Sequence, residues 1–168
     1  MITNIQNINY DGWHNVHELD CAGKTAEAFS LLQKLANDSD PFALLELSMR
    51  YASTDGYVVP VEPMEQDLAK SQSLAILSKK KFEEYASKGD GEAMRMLANF
   101  YMGLWHPVFE KSCEKAEKLL LEAISVGHYF AANDLATYYQ GSSIDKAKYY
   151  YQLAEEHNCR VVYNKNLE

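Results

Sequence analysis

The chain lacks most of what marks a secreted, membrane-embedded or nucleic-acid-binding protein. Its three cysteines, Cys21, Cys113 and Cys159, are an odd and sparse set that builds no disulfide framework. No window approaches the roughly 18 apolar residues of a membrane span. The first residues, MITNIQNINYDGWH, hold neither Lys nor Arg and no long apolar run, so no secretory signal is expected there. A reducing cytoplasm is the compartment these features suggest. Basic charge is also scarce: 16 Lys and Arg stand against 24 Asp and Glu, a formal net charge of −8. Nucleic-acid binding needs a basic surface facing the phosphates, so neither it nor adhesion to anionic lipid is expected.

Motifs for chemistry are equally thin. Gly23-Lys24-Thr25 ends like a phosphate loop, but Glu18 stands where the loop needs its first glycine, and no buried strand precedes it. The segment reads as a turn before a helix. His14, His17 and Cys21 are spaced three and four apart, on one helical face that could hold zinc. No fourth ligand is identifiable, and packing and hydrogen bonding are their expected roles. His-Glu-x-x-His and its inverse are absent. Cys113 has no histidine close in sequence, and Cys159 has only His157. The acids Glu83–Glu84 and Glu155–Glu156 are adjacent, so on a helix they point about 100° apart and read as solvated faces. No catalytic residue, metal or cofactor is expected.

What the chain does have is a repeat. Ala-x3-Leu-small-x2-Tyr occurs at Ala43, Leu47, Ser48, Tyr51, then at Ala93, Leu97, Ala98, Tyr101, and again at Ala131, Leu135, Ala136, Tyr139. The spacing of four puts Ala, Leu and Tyr on one helical face. A second helix follows each time, with matching offsets in Ala116, Leu119, Leu120, Ala123, Gly127 and in Ala147, Tyr150, Tyr151, Ala154, Asn158. Ala28, Leu31, Leu32, Leu35, Ser39 fit too, and Ser78, Lys81, Phe82, Tyr85, Gly89 fit less well. Gly127 and Asn158 stand where a helix stops in the left-handed region. Val16 takes the Leu position of a degenerate first copy. The anchors Val16, Leu47, Leu97 and Leu135 are thus 31, 50 and 38 residues apart. One repeat domain over 1–168 follows: a degenerate repeat at 11–39, repeats at 40–89 (with an insertion, 53–67), 90–127 and 128–158, and a tail at 159–168. The expected class is all-α, an α-solenoid of paired antiparallel helices, because such a pair buries its apolar face only against its neighbours. A coiled coil fits poorly, since Pro41, Gly89, Gly103, Gly127 and Gly141 interrupt the pattern.

Residues 40–158 resemble the Sel-one-like repeat (SLR), a cousin of the tetratricopeptide repeat. The likeness rests on Ala93, Leu97, Ala98, Tyr101, Gly103, Lys115, Ala116, Ala123 and Gly127. In the last copy it rests on Ala131, Leu135, Ala136, Tyr139, Gly141, Asp145, Lys146, Ala147, Tyr150, Tyr151 and Ala154. The usual Gly-x-Gly turn is reduced to one glycine, and the last turn is short. The resemblance implies a scaffold or adaptor. Some small bacterial proteins of this kind are immunity proteins that neutralise toxins delivered by neighbouring cells. It also implies that the first helices line the concave side. Candidate contacts are then Phe42, Leu45, Glu46 and Met49; Glu92, Arg95, Met96, Asn99 and Met102; and Phe130, Asn133, Asp134 and Thr137. Glu62 and Glu65 join them from the insertion, which reads either as a loop packed along the repeats or as a contact loop.

Resemblance and charge together lead to a non-enzymatic protein-binding module, an immunity protein that captures a basic toxin domain such as a nuclease by electrostatic steering. A monomer is the expected state. A general adaptor is the alternative, and a metal-dependent or other hydrolase the minor one, because fold does not fix function. The repeat register also sorts the tyrosines at the end of the chain. Tyr139, Tyr150 and Tyr151 belong to the core, Tyr149 to the surface, and Tyr138 lies between.

Overall fold

Apolar residues spaced three and four apart give helices wherever the chain is described. The computed structural model describes residues 11–55, 57–104 and 109–161. The N-terminal stretch 1–10, Gly56 of the insertion and residues 162–168 of the tail lie outside the described residues. There are eight helices and no strand among the described residues: α1 (Asp11–Cys21), α2 (Thr25–Asn37), α3 (Pro41–Ala52), α4 (Leu68–Ser87), α5 (Gly91–Met102), α6 (Cys113–Ser125), α7 (Phe130–Tyr139) and α8 (Ile144–Glu156). The chain is all-α. Two helices fall in each of the segments 11–39, 40–89, 90–127 and 128–158.

The helix ends show why the segments are cut there. Asp40 and Asp90 cap α3 and α5, their carboxylates accepting from the backbone N–H of Ala43 and Ala93 at 2.7 and 2.8 Å. At the other end, α2, α4, α6 and α8 all close alike. Ser39, Gly89, Gly127 and Asn158 take positive φ angles of 65, 89, 91 and 56°. The next residue in each case donates its N–H to the carbonyl five back: Asp40 to Leu35, Asp90 to Tyr85, His128 to Ala123, Cys159 to Ala154. This closure satisfies carbonyls that the helix itself leaves unpaired. Gly23, the candidate phosphate-loop glycine, makes the same kind of turn after α1 at φ 73°.

Contacts divide the chain into two compact units, with the break inside α4 between Glu84 and Tyr85. In the first unit Val16, Leu32, Leu44 and Leu47 surround Ala28, Ala36 and Ala43. α4 reaches α3 through Phe82, fully buried and edge-on to Phe42 at 5.0 Å. Two serines add polar ties: Ser48 donates to the Ser71 carbonyl at 2.7 Å and Ser78 to that of Pro41 at 2.8 Å. In the second unit Leu120, Leu135, Tyr139 and Tyr151 pack on fully buried Ala98, Ala116, Ala123, Ala131, Ala136, Ala147 and a shielded Met94. Alanine at these positions lets helices approach closely at no cost in helix propensity. Each buried leucine contributes about 1.5–3 kcal/mol.

Candidate functional site

Apart from Glu62 and Glu65 of the insertion, the candidate contacts lie on α3, α5 and α7. In the first unit, α3 is enclosed on more than one side, and nine of its 12 residues are buried. Phe42 and Leu45 are among them, so neither offers open surface; Phe42 spans Phe82 and Trp13, the latter at 6.0 Å. Met49 is half-buried. Glu46 is 9% exposed and faces Arg50, which is 2% exposed. The Arg50 Nε donates to Glu46 Oε1 at 2.8 Å, and Nη2 donates to Asp20 Oδ2 of α1 at 2.5 Å. Two carboxylates thus hold one guanidinium, a net charge of −1. Glu62 is half-buried and accepts from the Thr25 hydroxyl at 2.8 Å, tying the insertion to α2; Glu65 is exposed.

The second unit repeats the device. Arg95 of α5 donates from Nε to Asp134 Oδ2 of α7 at 2.6 Å and pairs with Glu92 at 3.3 Å. His128 Nε2 lies 2.6 Å from Glu92 Oε2. Burial raises the Asp134 pKa above the usual carboxylate range, an effect that Arg95 only partly offsets. Met96 and Asn99 are buried, Met102 is half-buried, and Phe130 and Thr137 are exposed. Asn133, 1% exposed, grips the chain's own end: Nδ2 donates to the Cys159 carbonyl, and Oδ1 accepts from the Val161 N–H at 3.0 Å. The Tyr151 hydroxyl donates to the Val161 carbonyl at 2.8 Å, and Arg160 lies 4.8 Å over the Tyr151 ring. The surface at Asn133 is therefore filled by residues 159–161.

A cleft of about 390 Å³ opens in the first unit over the Asp20–Arg50–Glu46 group. Trp13, Val16 and His17 of α1 form one wall, and Tyr57, Val58, Val59 and Val61 of the insertion form the other. Sequence reasoning missed this site. The one signal was Arg50, a charged residue three places after Leu47, where Phe100 and Tyr138 follow Leu97 and Leu135. The Tyr57 ring lies 5.7 Å from the guanidinium carbon. Burial, then the Glu46 charge, pushes the Tyr57 pKa well above its ordinary value. Its hydroxyl interacts with both Glu46 and Arg50. Arg50 Nη1 and Asp20 Oδ1 are buried without a hydrogen-bond partner.

The remaining groups are accounted for by packing. Tyr139 and Tyr151 are buried, Tyr150 and Tyr138 half-buried, and Tyr149 is 61% exposed. Tyr139 stacks on Tyr150 at 5.8 Å and donates its hydroxyl to Glu117, whose charge, after burial, raises the tyrosine pKa. One contact recurs: a lysine early in α4, α6 and α8 lies over a tyrosine late in the preceding helix. These pairs are Lys70 on Tyr51 at 4.2 Å, Lys115 on Tyr101 at 5.2 Å and Lys146 on Tyr139 at 4.6 Å. Cys21 Sγ sits 3.6 Å from His17 Nε2, while His14 turns to Glu18 at 3.2 Å. No group of three potential metal ligands forms among the described residues. All three cysteines are free, and no helix of the described residues is long and apolar enough to cross a membrane. No family model matches the chain, and no curated protein or solved structure matches it.

Proposed function

We propose that the chain is a non-enzymatic protein-binding module built from four paired-helix repeats of the SLR kind, arranged as an α-solenoid. Its partner is a basic toxin domain such as a nuclease, which it neutralises in the cytoplasm as an immunity protein. The observation that carries the repeat reading is the common closure of α2, α4, α6 and α8. Ser39, Gly89, Gly127 and Asn158 hold the same repeat position, and all four are left-handed. Ser39 and Asn158 are the non-glycine residues of this kind among the described residues, so the position rather than the residue type imposes the conformation. The Arg50–Asp20 and Arg95–Asp134 bridges add support. They join first helices of consecutive pairs within a unit at sequence separations of 30 and 39, beside anchor separations of 31 and 38.

The step from repeat to toxin rests on charge and on the SLR likeness. A net charge of −8 raises the capture rate of a basic partner. The test uses the purified chain and the protein encoded beside its gene, inactivated at its own catalytic residue. A stable complex is expected, with an association rate that falls as salt rises. Absence of a complex at low salt rejects the reading.

A further inference from the structure

The cleft over Arg50 has the composition of a receptor for a positively charged side chain. Its floor holds two carboxylates and one guanidinium, net −1, and it lies in a chain that is itself acidic. Asp20 Oδ1 is an acceptor without a donor, and Arg50 Nη1 is a donor without an acceptor. Both belong to side chains that are 2% exposed. Leaving such groups unpaired costs about 1–3 kcal/mol each. A guanidinium or ammonium entering with a bound water supplies the donor and the acceptor together. The walls suit the rest of a long basic side chain. Val58, fully exposed, and its neighbours on the strap face the stem. Trp13, 37% exposed, lines the same cleft and adds apolar surface for the stem. The volume lies in the range of small-ligand pockets.

We propose that this cleft is the anchoring site for an arginine or lysine side chain presented by the partner, with Asp20 and Glu46 receiving the charge and Trp13 and the valine strap receiving the stem. An anionic group drawn to Arg50 is disfavoured, because Arg50 is already held by two carboxylates. The proposal deepens the reading of the chain as a binder of a basic protein, and rests on it for the identity of the ligand's carrier.

The experiment is a titration of the purified full chain with N-acetyl-arginine amide, followed by amide and indole shifts in ¹H–¹⁵N spectra. N-acetyl-citrulline amide (the same shape without the charge) and N-acetyl-glutamate amide are titrated in parallel. Saturable shifts are expected at Trp13, Val58 and Val59, with the arginine probe at least about tenfold tighter than the citrulline probe. Val58→Lys places a cation at the mouth on a fully exposed residue, so it should leave the melting curve unchanged and weaken the arginine probe at least about tenfold. Trp13→Ala should weaken it too. Equal affinity for the arginine and citrulline probes, tighter binding of the glutamate probe, or no saturable shift overturns the proposal. A partner that binds the wild type and Val58→Lys equally well also overturns it, while leaving the protein-binding function intact.

Discussion

Replacing Arg50 with methionine removes the charge at the centre of the first unit while keeping most of the apolar stem. The structure sets the size of the effect. The Arg50 and Asp20 side chains are each 2% exposed and that of Glu46 is 11% exposed, so water cannot replace the guanidinium. Removing one member of a buried charge group leaves the rest uncompensated, which costs about 3–5 kcal/mol; an exposed pair would cost below about 1 kcal/mol. The loss is read by urea unfolding, with circular dichroism for the helices and tryptophan fluorescence for the tertiary structure. Replacing all three residues together with apolar ones should recover most of the loss. A cost below about 1 kcal/mol would refute the account of this buried group.

Other expectations follow from single positions. Ser39 is held at φ 65°, where glycine is at ease, so Ser39→Gly should raise stability by about 1 kcal/mol in the same urea assay; a loss would contradict the assigned backbone. Phe82→Ala empties a fully buried site against Phe42 and should cost about 3–5 kcal/mol. Tyr57 and Tyr139 have raised pKa values, so their stabilising contribution is full below the ordinary tyrosine pKa of about 10 and is lost as pH climbs above it. Ultraviolet absorbance of tyrosinate in an alkaline titration should show them ionising together with unfolding, and early reversible ionisation of all tyrosines would contradict their burial.

The helix stops and the buried anchors were legible because each carries a local demand. A helix stop asks for Gly, Asn or a tolerant Ser, and that demand survives at Ser39, Gly89, Gly127 and Asn158. The burial of Val16, Leu47, Leu97 and Leu135 followed from helical spacing alone. The face of the first helices did not. Phe42, Leu45, Met96 and Asn133 lie off the shared apolar stripe, but neighbouring elements cover that side as well, and coverage of this kind depends on tertiary contacts. The same limit hid Arg50, whose carboxylate partner Asp20 lies 30 residues away. Helix α4 begins at Leu68, before the stretch that matched the repeat, because its first turns bury Ser71 and Ala75 rather than large apolar residues. Small residues of that kind carry little hydrophobic signal.

The central claim is that this acidic chain neutralises a basic toxin. Its most direct measurement is growth of cells that express the protein encoded beside the gene, with and without this chain. Co-expression should restore growth, and the Arg50→Met variant should restore it less in proportion to its lost stability. Growth arrest that is the same with and without the chain, when both proteins are present at comparable levels, would contradict the claim.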